Sequence, residues 1–191
     1  GDYTLNLDVT GKKGEAEGVD VLFVIDTSGS MADNRLLANV KNLLTQDGGI
    51  IDQILSGDDN VNSVAYVSFA GKSETKTSSW YGKNSSSRLK TRINSLRATG
   101  GTNWTYAMMK AEDMLDARSN SGNEKVMIFL SDGEPTYSIK ENGSQYGYGN
   151  YTIDKYYEEA IEVVTDSASL GAAQKYSVYL TNNTEEGMKT F

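Results

Sequence analysis

Along this chain, short segments in which almost every residue is apolar alternate with longer ones in which apolar residues return every three or four positions. Residues 19–25 (Val-Asp-Val-Leu-Phe-Val-Ile) form the first apolar run, which suits a central strand covered on both faces. Residues 61–69 and 125–130 read as two further strands, and residues 176–180 as a fourth. Between them the period lengthens. Leu36, Leu37, Val40, Leu43 and Leu44 recur at helical spacing, and Ile50, Ile51, Ile54 and Leu55 continue after a Gly-Gly break. Residues 88–96 predict a short helix, residues 107–115 the apolar stripe of another, and residues 154–169 a third. Residues 74–81 predict an edge strand. Alternating buried strands and amphipathic helices imply right-handed crossovers, hence an α/β fold: an open, mostly parallel twisted sheet with helices on both faces and one antiparallel edge strand.

Ahead of this pattern, residues 3–10 (Tyr-Thr-Leu-Asn-Leu-Asp-Val-Thr) alternate apolar and polar as a half-buried edge strand does, and a Gly/Lys/Glu-rich linker follows. The expected division is therefore an N-terminal strand and linker, residues 1–17, and one domain, residues 18–191. At 191 residues the chain is long enough to bury a core without staples. It starts at Gly1 and has no secretory signal, as expected of an excised or processed part of a longer protein.

Composition narrows the chemistry. There is no Cys and no His, which excludes thiol nucleophiles, Cys zinc sites and imidazole acid–base catalysis within the chain. The net charge of −8 argues against nucleic acid and against an anionic membrane surface. No stretch approaches the apolar length of a membrane span.

In open α/β sheets, working groups gather outside the carboxyl ends of the strands, where the strand order reverses. Three polar clusters fall in such loops. Asp26, Ser28 and Ser30 follow the first apolar run, Thr102 opens a helix, and Asp132 follows a later strand. All five side chains offer oxygen only, which suits hard cations such as Mg²⁺, Mn²⁺ or Ca²⁺. Gly29 relieves crowding in the first loop, and Gly100 and Gly101 let the Thr102 loop approach closely. The competing reading is helix capping, by Ser30 or Asp33 in one place and by Thr102 or Asn103 in the other.

The three segments together resemble the von Willebrand factor A-type domain with its metal-ion-dependent adhesion site. Asp26-Thr27-Ser28-Gly29-Ser30 matches the family's Asp-x-Ser-x-Ser, Thr102 in Gly-Gly-Thr-Asn its lone threonine, and Asp132 in Leu-Ser-Asp-Gly-Glu-Pro its later aspartate. The resemblance runs from about residue 18 to 182. It implies one divalent cation, Mg²⁺ first and Mn²⁺ or Ca²⁺ as alternatives. Ser28 and Ser30 would ligate directly, Thr102 directly or through water, and Asp26 and Asp132 largely through waters. Neutral hydroxyls leave much of the cation's charge unquenched, so a partner's Asp or Glu completes the coordination. The implied activity is cation-dependent protein binding, not catalysis. The opening strand, the lack of Cys and His, and the Tyr/Asn-rich insert further resemble adhesive domains of Gram-positive surface proteins, particularly pilus tip subunits. That narrower likeness implies an extracellular, cell-wall or pilus location, and a host matrix or cell-surface protein as partner.

Around the expected ion, Gly29, Gly101, Trp104, Glu134, Tyr137, Tyr146 and Tyr148 form the expected rim. Tyrosine gives contact area at low entropic cost, as in recognition loops, whereas a plain surface loop packs such rings on its own domain. For Trp104, anchoring its helix in the core is the alternative. The sequons at Asn103 and Asn150 are expected by chance in so Asn/Ser/Thr-rich a chain. Two rival functions remain: an intracellular A-type module assembling beside an ATPase, and a metal-dependent hydrolase. A haloacid-dehalogenase-like site would need a second carboxylate where Ser28 stands, and no phosphate-cradling Gly-x-x-x-x-Gly-Lys loop is present. Family members close with a helix after the last strand; at most a turn or two of it is expected within residues 185–191.

Overall fold

A computed structural model describes residues 18–57 and 61–181. The proposed N-terminal strand, residues 3–10, and the start of a closing helix lie outside the described residues. The central sheet contains β1 (Val19–Asp26), β2 (Ser63–Phe69), β3 (Lys76–Thr77), β4 (Glu124–Ser131) and β7 (Gln174–Tyr179) in the order β3-β2-β1-β4-β7. β2, β1, β4 and β7 run parallel, and β3 is the antiparallel edge. This is the open α/β sheet that the alternating pattern predicts. The chain leaves β1 on one side for β2 and returns on the other for β4, so the order reverses at β1.

Both faces of β1 are buried because its residues alternate between two cores. Phe23 and Ile25 pack with α1 (Leu36–Thr45), α2 (Ile50–Ile54) and α3 (Ser86–Asn94) through Val40, Leu44, Ile51 and Leu89. Leu22 and Val24 pack beneath α4 (Trp104–Asp116) with Ala107, Ala111 and Leu115, and α6 (Ala168–Ala172) adds Leu170. Each fully buried aliphatic or Phe side chain contributes about 1.5–3 kcal/mol of transfer free energy. Among the described residues no helix is long and apolar enough to cross a membrane.

Four local outcomes differ from the pattern. The expected start of the first helix is a 3₁₀ turn, Gly29–Arg35, and Arg35 (φ 63) breaks it from α1. The edge strand over 74–81 reduces to β3 and a bridge at Tyr81. The long last helix is α5 (Asp154–Asp166) followed by α6, divided where extended Ser167 accepts the Leu170 amide as a new cap. The Tyr/Gly-rich stretch folds into a hairpin, β5 (Tyr137–Ile139) and β6 (Gln145–Gly147).

The amino ends of the strands are held by a buried carboxylate. Asp20 accepts hydrogen bonds from Arg118, Ser63, Ser121 and Asn123, and Lys125 lies 3.4 Å away. Burial opposes ionisation, but the guanidinium of Arg118 and the three neutral donors outweigh it and hold this carboxyl well below the usual carboxylate range. Removing one partner of such a group strands the others. Asp20→Ala should lower the unfolding free energy by about 3 kcal/mol in urea denaturation at neutral pH, since two cations lose their buried counter-charge.

Candidate metal centre

The opposite, carboxyl ends of β1 and β4 carry the candidate residues. Asp26 ends β1 and is fully buried. Its Oδ1 accepts the Ser28 amide at 2.7 Å, which turns the loop, and its Oδ2 accepts the hydroxyl of Ser131 at 2.5 Å. The Asp26 carboxylate therefore joins the last residue of β1 to the last residue of β4. The Oγ atoms of Ser28 and Ser30 lie 3.2 Å apart, and Ser30 donates to Asp132 Oδ1 at 3.0 Å. Asp26, Ser28, Ser30 and Asp132 thus form one connected group. Ser28 is buried while Gly29 and Ser30 are exposed, so the group opens to solvent on the Ser30 side.

The loop that carries Thr102 meets the Ser28–Ser30 loop through backbone contacts. The Gly29 amide donates to Gly100 O at 2.9 Å, and Thr99 N donates to Thr27 O at 2.8 Å. Gly100 has φ 74, a left-handed turn that a side chain would strain. A Cβ on Gly101 would stand 2.5 Å from the Tyr137 ring, so glycine is what permits β5 to lie against this loop. The capping alternative is resolved in favour of Asn103, whose side chain accepts the Tyr106 amide at 2.9 Å at the start of α4. Asn103 is fully buried in this role. Thr102 is 5% exposed, and its hydroxyl makes no hydrogen bond among the described residues.

The electrostatics are unfavourable without a counter-charge. Burial pushes Asp26 up to about 6, against the hydrogen bonds from Ser131 and Ser28, and the charge of Asp132 pushes it further. Burial also raises Asp132, opposed by the Ser30 hydroxyl, and Asp33 adds a like charge. Two buried or half-buried carboxylates, two serine hydroxyls and the Thr102 hydroxyl fit a small hard cation. Among the described residues, no three carboxylates gather as an alternative metal cluster. Ser28, Ser30 and Thr102 would hold the ion, with Asp26 and Asp132 orienting them and balancing its charge.

The expected rim residues are placed differently from one another. Tyr148 is 70% exposed and stacks on Tyr151 with centroids 4.7 Å apart. Tyr137 lies against Gly101 and Gly149. Tyr146 turns away to α5, donating to Glu159 at 2.6 Å and meeting Tyr156 edge-on at 5.6 Å. Trp104 leans into the second core, edge-on to Phe129 at 5.2 Å and Tyr157 at 5.4 Å. Glu134 is exposed beside Tyr157, whose hydroxyl burial and then Glu134's charge push up. Two contributors escaped the sequence reading: Ser131, the bridge to Asp26, and Thr136, whose hydroxyl accepts the Thr102 amide at 2.9 Å.

Comparison with known proteins places this fold. No curated protein sequence matches the chain. Among solved structures, the pilus adhesin SpaC from Lactobacillus rhamnosus GG is 28% identical over 73% of this chain and 19% of its own, with a TM-score of 0.54. A von Willebrand factor type A protein from Catenulispora acidiphila matches 85% of this chain and 33% of its own at 18% identity, TM-score 0.58. The manganese-loaded TRAP protein of Plasmodium vivax matches 88% of this chain and 59% of its own at 18% identity, TM-score 0.58. The chain thus spans about a fifth of SpaC and a third of the Catenulispora protein. The family model of the von Willebrand factor type A domain matches residues 20–153, from the start of β1 through the hairpin. The chain belongs to the von Willebrand factor type A domain family.

Proposed function

We propose that this domain binds a divalent cation through Ser28, Ser30 and Thr102, supported by Asp26 and Asp132, and uses it to hold an acidic group of a partner protein. The carrying observation is the connected group Asp26–Ser28–Ser30–Asp132 at the mouth of the loop that carries Thr102, whose hydroxyl makes no hydrogen bond among the described residues. When bound, the ion supplies a positive centre poor in negative ligands, which accepts an outside carboxylate. A domain of charge −8 would otherwise repel an acidic partner. Mg²⁺ is the favoured ion, with Mn²⁺ and Ca²⁺ as alternatives; manganese in the TRAP relative supports a hard cation on this fold. The likeness to SpaC supports an adhesive role on a cell wall or pilus surface, with a host matrix or cell-surface protein as partner. The chain's own contribution to recognition is the exposed, stacked Tyr148–Tyr151 pair, with Glu134 and Tyr137 as further candidates.

Titration calorimetry with Mg²⁺ and Mn²⁺ should give one site per chain, weakened at least about tenfold in Ser30→Ala and Asp26→Ala. Unchanged affinity in both variants would remove the assignment.

Stability should depend on pH through Asp26. A carboxyl whose folded pKa, about 6, lies above its usual 3.8 binds more protons folded than unfolded between those values. In EDTA, Asp26 therefore costs about 3 kcal/mol as pH rises from 4 through 6, and the cost persists above. Thermal melts of the parent and Asp26→Asn in EDTA should diverge over this window, with the variant's curve the flatter. Added Mg²⁺ should raise the parent's midpoint most at pH 7 and least at pH 4.5.

Adhesion of the domain to immobilised matrix proteins should vanish in EDTA and return with Mg²⁺. Adhesion that survives chelation would place recognition on the tyrosines alone.

A further inference from the structure

Thr102 is held by its backbone, and almost wholly by one neighbour. Its amide donates to Thr136 Oγ1 at 2.9 Å, and its carbonyl accepts both the Thr136 amide at 2.8 Å and the Tyr137 amide at 3.0 Å. Every hydrogen-bonding group of the Thr102 main chain is thereby committed to the first two residues of the hairpin segment. The side-chain hydroxyl makes no hydrogen bond among the described residues. The contact is possible only because residue 101 is glycine: a Cβ there would stand 2.8 Å from Thr136 Oγ1.

The hairpin is itself pinned against the same loop. Ser138 Oγ and Thr105 Oγ1 lie 2.7 Å apart in the interior, and Gln145 Oε1 accepts from Asn103 Nδ2 at 3.2 Å and from the Lys72 amide at 2.5 Å. Asn103 N in turn donates to Ala70 O at 2.8 Å. Thr136 is thus fixed from behind as well as bonded in front. A threonine hydroxyl that swung by one ångström would miss a small cation, whose oxygen ligands stand only about 2.0–2.6 Å away. Outer partners that orient ligands are therefore strongly felt in metal affinity.

We propose that Thr136 is a positioning residue of the cation site: its hydroxyl and amide lock the main chain of Thr102, so that the hairpin β5–β6 sets where the Thr102 hydroxyl stands. This rests on the reading of Thr102 as a cation ligand given above. It also assigns the hairpin a second role besides carrying Tyr148. The hairpin is part of the frame of the site.

The test compares the parent chain with Thr136→Val, which keeps the shape and removes the hydroxyl, and Thr136→Ser, which keeps the hydroxyl. Two readings are taken: amide exchange at Thr102 in EDTA, and Mn²⁺ affinity by calorimetry. In Thr136→Val the Thr102 amide should exchange about tenfold faster or more, and Mn²⁺ should bind about 10–100-fold more weakly. Thr136→Ser should restore both, and thermal melts in EDTA should stay close to the parent for all three proteins. Should valine disturb the fold, Thr136→Ala removes the hydroxyl without branching and is read the same way. Parent-like Mn²⁺ affinity in a folded variant whose Thr102 amide has been released overturns the positioning role. A parent that binds no Mn²⁺ overturns it by a different route, through the cation reading itself, while the EDTA exchange data still report whether the lock exists.

Discussion

A buried carboxylate holds this domain's working end together. Asp26 closes β1 inside the protein, where ionisation is unfavourable, and it offsets that burden by accepting the Ser28 amide on one oxygen and the Ser131 hydroxyl on the other. The first bond bends the loop so that Ser28 and Ser30 stand side by side. The second fastens the end of β1 to the end of β4 and so fixes where Asp132 emerges. Without Asp26 the loops after β1 and β4 would lose the side-chain link that joins them. Beneath them Phe69 and Phe129 stack at 5.3 Å, with Trp104 edge-on, a stiff aromatic floor under loops that need to be rigid. At the other end of the same strand, six residues and about 20 Å away, Asp20 is a carboxylate of opposite character. It is surrounded by donors and stays charged, whereas Asp26 is short of positive charge. One strand thus carries a satisfied carboxylate at its structural end and a frustrated one at its candidate site.

Much of this was legible because it rests on local pattern. β1 and β4 are apolar on both faces, and in an alternating chain such runs have one reading, the interior of a parallel sheet. The five candidate residues stand out by type and place, as oxygen donors at strand ends beside glycines, and all five lie within the family match over residues 20–153. The hairpin was not read. Its strands are three residues each, too short for a period to register, and their tyrosines and glycines read as loop. The available signal was Asn142-Gly143, a turn pair, with Gly143 at φ 78 and Lys140 and Ser144 paired across it. The break between α5 and α6 had a similar signal in Ser167, a capping residue inside an apolar stripe.

Ser131 and Thr136 were beyond a single-sequence reading for a different reason. Nothing about a serine at the end of a strand indicates that it reaches a carboxylate 105 residues earlier. Nothing about Thr136 indicates that its hydroxyl completes the hydrogen bonding of residue 102. Both act through pairing that exists only once the sheet order is known. The residues of a site that carry its chemistry are recognisable by kind, while those that aim them are recognisable only by position.

The central claim is that three separated loops meet around one hard cation. Crystals of the domain equilibrated with Mn²⁺, measured at a wavelength where manganese scatters anomalously, test it most directly. A single strong anomalous peak is expected within about 2.0–2.6 Å of the hydroxyl oxygens of Ser28 and Ser30, facing Thr102. A map with no peak there at saturating Mn²⁺, or with its peak among other residues, would contradict it.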